Sequence, residues 1–411
     1  MTSVSLQPDA SNAPSPTRAA AWVIGAGVVV AMHVGKVPVA IPVLKAQLGM
    51  SLVEAGILLS LSQFAGMLLA VFMGMLADAF GLRRSMLSGL LLMAVASSLG
   101  GASQSVAVLL LCRALEGVAV LLVVVPAPAM LRRLVTARYL ALVLGIWGAF
   151  MPAGTAAAML LGPWVIAAAS WHVWWWALAA ISLLCAWGLW VWVPPASAPA
   201  PEPSGLSQAN RLMQTWTNPG SWWVALAFGM YSSQWLVLIG FFPSLLQEAG
   251  IGAALAGGVT ALASLVNIAG NVAAGSMLHR GFAAPRILAL AFVTMLASAM
   301  LVFGAGEAVA VGWRMAAALV FSMVGGLIPG SLFSLAVRLA PSDQAVSTSL
   351  GWTTQLSMMG QFVAPPVAAW LADTHGSWEL TWLLNAAACV LGLWLVLRIR
   401  DLLNAASQIK A

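Results

Sequence analysis

In the run "VVVAMHVGKVPVAIPVL" (residues 28–44), His33 and Lys36 stand where only apolar side chains are expected, and Arg113 and Glu116 do the same in "RALEG" (113–117). Each pair is spaced i, i+3, so its members share one helical face, and Glu116 is placed to neutralise part of Arg113. Ionisable groups inside a bilayer are costly, and they are kept where they pair, relay protons or meet a substrate. The types present suit charge recognition and proton exchange. Lys36 and Arg113 offer cations to an anion, His33 titrates near neutral pH, and Glu116 is an alternative proton carrier. Plainer readings stand beside these: Lys36 bending outward to the headgroups, and Arg113 with Glu116 as a structural ion pair.

The elements that must hold these groups are membrane spans. The hydrophobic fraction is 62%, charged residues make up 7%, and mean hydropathy is +0.98, which leaves too little polar surface for a water-soluble globule. Apolar runs of about 20 residues cross a bilayer. Twelve are predicted: 20–44, 55–77, 85–103, 106–130, 139–165, 171–193, 221–246, 253–278, 286–305, 312–337, 344–371 and 378–397. Arginines such as Arg83, Arg84, Arg132, Arg133, Arg280 and Arg338 gather on one side of these runs and Lys45 stands on the other. That asymmetry predicts both termini in the cytoplasm of a cell with the chain in its inner membrane. The net charge of +6 is thereby a topology signal, and nucleic acid is not an expected partner. Cys112, Cys185 and Cys389 lie in separate spans with no paired spacing, so no disulfide framework and no metal site is expected, nor any cofactor.

The chain is written twice. Residues 1–19 read as a disordered tail, 20–193 as a six-helix bundle, 194–220 as a Pro/Ser/Ala-rich linker, 221–398 as a second six-helix bundle and 399–411 as a tail. A constant shift of 201 residues carries Pro42 onto Pro243, Gly49 onto Gly250, Gly74 onto Gly275 and Arg113 onto Arg314. The same shift carries His33 onto Gln234, within "YSSQ" (231–234). Neutral polar candidates for a cavity wall are Tyr231 and Gln234 in span seven, Asn267 in span eight and Gln355 in span eleven, with Asn271 and Gln361 read as glue between helices. Counting Lys36, Arg113 and Arg314 against Glu116 gives an interior of +2, which favours an anion. For Arg314 an interfacial position is the alternative.

Two motifs extend this picture. "GMLADAFGLRR" (74–84) resembles the loop signature of the major facilitator superfamily, matching at Gly74, Asp78, Gly81, Arg83 and Arg84, with Ala79 where an Arg is usual. "RALEG" resembles the second signature of that family. The resemblance covers residues 20 to 398 and implies a major facilitator fold: an all-α integral membrane protein of twelve helices in two six-helix pseudo-repeats that rock about a central site. It implies a gating role for the loop motif, with Asp78 accepting from the first amides of span eleven near Ala345. The stretch from "IPVLKAQLGMS" to "GIWGAFMPAG" resembles the cyanate and nitroimidazole transporter branch. The family's antiporter run in span five is missing from "GAFMPAGTAAAMLLGP" (148–163), and span one carries His33 where related exporters carry an acid. The expectation is a transporter rather than an enzyme, monomeric, taking up a small anion with protons. Efflux of amphipathic drugs or metabolites by proton antiport is the alternative.

Overall fold

A computed structural model describes residues 16–194 and 207–408, with the side chains at 16, 73–80, 137, 141, 307 and 406–408 outside that description. In the N-terminal half the helices are α1 (Pro16–Leu48), α2 (Leu52–Phe80), α3 (Leu82–Gly101), α4 (Val106–Val124), α5 (Ala127–Leu134), α6 (Ala137–Gly148), α7 (Phe150–Ala168) and α8 (Trp171–Trp192). A short helix, α9 (Gln208–Thr217), follows. The C-terminal half holds α10 (Pro219–Glu248), α11 (Ala253–His279), α12 (Ala284–Ala299), α13 (Val311–Gly325), α14 (Leu327–Arg338), α15 (Val346–His375) and α16 (Thr381–Gln408). Pro126 divides span four into α4 and α5, Ala149 divides span five into α6 and α7, and Gly326 divides span ten into α13 and α14.

The repeat is visible in the helix ends. Gly49 after α1 and Gly250 after α10, related by the 201-residue shift, take φ of 63° and 83°, the left-handed region that lets a long helix stop and reverse. Ser51 and Glu54 then start α2 as a reciprocal capping box: Ser51 N donates to Glu54 Oε2 (2.8 Å) and Glu54 N to Ser51 Oγ (3.2 Å).

Among the described residues, eleven of the spans are long and apolar enough to cross a membrane. The remaining one, α15, carries Thr353, Gln355, Ser357 and Gln361, and it is held chiefly by α2 and α10 rather than by lipid alone. α1 and α10 are the most enclosed helices, which accounts for the ionisable groups that α1 tolerates. Within the first half α1 packs on α7 and α8, α3 on α4 and α8, and α2 on α4. Between the halves, α2 lies along α15, α7 along α11 and α1 along α10.

The segment expected to be plain linker contains α9, which is fastened to the C-terminal half. Trp222 Nε1 donates to the Trp216 carbonyl (2.8 Å), Ser342 Oγ donates to Gln214 Oε1 (2.9 Å), and the Trp216 and Trp222 rings meet Trp352 at 5.9 and 4.8 Å. The expected C-terminal tail is likewise helical as far as Gln408. Residues 1–15, the body of the expected N-terminal tail, lie outside the described residues.

Candidate functional site

Four of the sequence candidates meet in one place. His33 and Lys36 on α1 and Arg113 and Glu116 on α4 are all buried, with Lys36 wholly removed from solvent. Lys36 Nζ donates to Glu116 Oε1 (2.5 Å), to Ser97 Oγ on α3 (3.0 Å) and to His33 Nδ1 (3.1 Å), and it stands 4.7 Å from the Trp175 ring centre on α8. An ammonium has three hydrogens, so all are used. Snorkelling is thus excluded: the side chain runs inward, among α3, α4 and α8.

Because an ammonium only donates, His33 Nδ1 must accept, which places the ring proton on Nε2. Nε2 lies 2.9 Å from Ser182 Oγ on α8, whose own hydrogen goes to the Leu178 carbonyl (3.0 Å). Ser97 behaves in the same way, accepting from Lys36 and donating to the Trp175 carbonyl (2.9 Å). Every hydrogen in this part of the network has an acceptor.

Arg113 ties the cluster to α2. Its NH1 donates to Glu116 Oε2 (2.8 Å) and to the His33 carbonyl (2.7 Å), its Nε to the Leu58 carbonyl (3.1 Å) and its NH2 to Ser62 Oγ (3.2 Å). Gly117, the last residue of "RALEG", makes that reach possible: a Cβ there would stand 2.9 Å from the Leu61 and Ser62 carbonyls. Small residues of this kind let membrane helices approach closely. The spacing in the motif thus has a local cause, a cation on α4 and a gap that brings α2 to it.

Arg314 does not join them. It is half-buried near the start of α13, and its Nε donates to the Val302 carbonyl (3.1 Å). With Arg314 outside the cluster, its balance is +1 with neutral His33, rather than the +2 expected of the interior.

The corresponding region of the second half is neutral. Gln234 Nε2 donates to the Met230 carbonyl (2.9 Å) and Gln234 Oε1 accepts from Cys389 Sγ on α16 (3.1 Å). Tyr231 Oη and the Ser322 carbonyl both accept from Asn267 Nδ2, at 2.9 and 2.8 Å, which joins α10, α11 and α13. Asn271 donates to Asn267 and Gln361 to Ser357, each within its own helix, so neither is the interhelical glue expected of it. Gln355 sits at the seam between the halves, where its Oε1 accepts from Val71 N (3.3 Å).

Of the loop motif, Gly81 takes a φ of 96°, Arg83 donates to the Trp190 carbonyl of α8, and Arg84 is exposed. The side-chain roles expected of Gly74 and Asp78 lie outside the described residues.

Sequence reasoning missed Ser97, Ser182 and Trp175, the partners that orient Lys36 and His33. A signal for one of them existed. A shift of 207 rather than 201 relates span six to span twelve, carrying Ser182 onto Cys389 and Trp171 onto Trp378. These pairs do matching work. Trp171 Nε1 donates to Gln47 Oε1 (2.8 Å) and Trp378 Nε1 to Glu248 Oε2 (2.9 Å), and Gln47 and Glu248 are themselves 201 apart.

The halves approach one another closely at small residues along their shared seam. There a Cβ on Gly56 would meet Pro365 O at 2.8 Å and Pro366 Cα at 2.9 Å, one on Gly257 would meet Met159 O at 2.6 Å, and one on Gly240 would meet Leu59 at 2.8 Å. α6 packs chiefly on α1, α5 and α7 of its own half.

Two six-helix halves meeting along α1, α2, α7, α10, α11 and α15, each with buried polar groups, define a multi-pass membrane transporter. The family model of the Major Facilitator Superfamily matches residues 23–357, and the chain belongs to that family. It is similar to the cyanate transport protein CynX of Escherichia coli (strain K12), 27% identical over 364 residues, which cover 87% of this chain and 90% of that protein. It is also similar to the 2-nitroimidazole transporter of the same organism, 24% identical over 217 residues, 50% of this chain and 51% of the relative. In fold it resembles a bacterial homolog of the human lysosomal transporter Spinster, solved in an inward-facing and unoccupied conformation, with a TM-score of 0.69, 14% identity and 96% of each chain covered.

Proposed function

We propose that the protein is a secondary active transporter that takes up a small anion together with protons, by alternating access, in the inner membrane of a bacterial-type cell with both termini in the cytoplasm. The observation that carries this reading is the unequal charge of the buried cluster: two cations, Lys36 and Arg113, share one carboxylate, Glu116. In a medium of low dielectric an added proton raises that excess and is opposed, while an anion arriving with the proton leaves it unchanged. Anion and proton therefore favour each other's entry. Similarity to a protein named for cyanate transport supports a small anion as the cargo.

On this reading the cluster on α1 and α4 is the coupling station. Tyr231, Gln234, Asn267 and Gln355 supply neutral hydrogen-bonding groups on the side of the C-terminal half, where a carboxylate or cyanate accepts from hydroxyl and amide. Glu116 and His33 are the groups that exchange the proton. Gly81, Arg83 and Arg84, with Gly74 and Asp78, belong to the gate, and a single chain suffices for the cycle.

The test is uptake of labelled cyanate, monocarboxylates, dicarboxylates and aromatic acids into proteoliposomes under an imposed proton gradient. The expected result is gradient-driven accumulation of one anion class and its loss in Lys36→Gln protein that still reconstitutes. Movement of no anion, or extrusion of an amphipathic cation in exchange for protons, overturns the reading in favour of efflux.

A further inference from the structure

We infer that Lys36 acts as a gate on His33, so that the anion binds first and the proton second. The inference rests on the anion-and-proton reading above and adds to it the order of events and the atom that receives the proton.

The argument begins with lone pairs. Neutral imidazole has one nitrogen that accepts and one that donates. Nε2 is committed as a donor to Ser182, and the Nδ1 lone pair is covered by the Lys36 ammonium at 3.1 Å. A proton on Nδ1 would set an N–H⁺ against an ammonium at that distance, with no free acceptor for it. The ionisable groups around the ring are Lys36 on its own helix and Arg113 and Glu116 on α4, with Cys112 of α4 acting on Lys36 and Glu116 behind them. Among the described residues within 4.0 Å of it, Glu116 is the one carboxylate, at 3.7 Å from Nδ1 to Oε1, and that oxygen is the one Lys36 already holds at 2.5 Å.

An anion that pairs with Lys36 therefore does two things at once. It uncovers the Nδ1 lone pair and it frees Glu116 Oε1. A proton then adds to Nδ1, and the imidazolium takes the place of the ammonium beside Glu116 with little movement of the ring. Charge balances throughout: the cluster holds +1 at rest, and one monovalent anion with one proton returns it to +1. The reverse order has no such path, because a proton arriving first finds His33 blocked and Glu116 shared by two cations. Ser97 and Ser182 hold the two ends of the exchange by fixing where Lys36 rests and which tautomer His33 adopts.

Two measurements on the full chain in liposomes test this. The first is nitrogen-15 solid-state NMR of histidine-labelled protein, with the His33 signals assigned by difference from His33→Asn. The expected spectrum without anion is the neutral ring with hydrogen on Nε2 at pH 6 as at pH 8, and 50 mM cyanate is expected to bring in the doubly protonated ring at pH 6. A ring already doubly protonated at pH 6 without anion, or hydrogen on Nδ1, overturns the inference, and wild-type protein suffices for this arm. The second is the pH dependence of cyanate uptake. Anion-first binding lowers Vmax as pH rises even at saturating cyanate, whereas proton-first binding leaves Vmax constant and raises only KM. A constant Vmax overturns the order while leaving proton-coupled uptake intact. Uptake that ignores the proton gradient removes the coupling reading itself, and the NMR result then still decides whether Lys36 covers His33.

Discussion

The two halves of the molecule solve the same packing problem with different side chains. Where the first half has His33, Lys36, Glu116 and Ser182, the positions related by the repeat in the second hold Gln234, Val237, Ala317 and Cys389, and all eight are buried. His33 and Gln234 each reach from the first helix of their half to the last, to Ser182 and to Cys389. The scaffold therefore stands with a valine and an alanine at the sites of the ammonium and the carboxylate. Since replacing buried ion pairs by apolar residues is often neutral or stabilising, the charges of the first half are poorly explained by folding alone. They are better explained by what charges do when something enters.

That comparison breaks most visibly if the first half is rewritten as the second. The combined variant His33→Gln, Lys36→Val, Glu116→Ala and Ser182→Cys, with Arg113→Met to remove the cation left without its counter-ion, is expected to insert and to keep a monodisperse profile in detergent. Its proton-driven uptake is expected to vanish. Retained gradient-driven uptake would show the cluster to be dispensable for coupling.

Removing one partner alone has the opposite character. Glu116→Ala leaves Lys36 and Arg113 buried without their shared carboxylate, a loss of about 3–5 kcal/mol for a broken buried pair. Thermal unfolding in detergent is expected to fall sharply, and adding Lys36→Met to recover much of the loss. Equal destabilisation in the single and double variants would mean that the two charges are not coupled.

A smaller effect, about 1–3 kcal/mol, is expected for Gly117→Val, because the added atoms must push the Leu61 and Ser62 carbonyls aside. The shift also draws Arg113 away from Leu58 and Ser62, so uptake is expected to fall along with stability. A variant of unchanged melting temperature would refute the close α2–α4 contact as the reason for the motif's spacing.

How much of this was legible in the sequence follows from the physics of each feature. The spans were legible because hydrocarbon imposes length and composition on every one of them, and even α15, the least apolar, stood out between its flanking turns. The charged four were legible because any ionisable residue in such a run is conspicuous. Their partners were not. Ser97 and Ser182 are small residues of a kind scattered throughout the chain, and only the tertiary arrangement selects them as the acceptors for Lys36 and His33. Arg314 misled because matching repeat positions share a register but not a depth; Arg113 sits well inside α4 whereas Arg314 sits three residues into α13. The helix in the linker was hidden by the Pro-rich stretch before it, since α9 is short and is held by Trp216, Gln214 and Trp352 rather than by its own propensity.

The smallest expected effect sharpens the comparison from the other side. Tyr231→Phe removes the hydroxyl that accepts from Asn267, yet Asn267 keeps its second bond to the Ser322 carbonyl, so stability should fall by about 1 kcal/mol or less. If the neutral network is the wall that a substrate touches, the lost hydroxyl also weakens binding by a comparable amount, and KM for the transported anion rises by up to about fivefold. The pH profile of uptake is expected to stay where it was, because the groups of this network, amides and a phenol, include no carboxylate or imidazole. A change in KM without a change in pH profile assigns recognition to the second half and coupling to the first. A shift in pH profile from this one hydroxyl would mean that the neutral half takes part in proton handling, and the division of labour between the halves would fail.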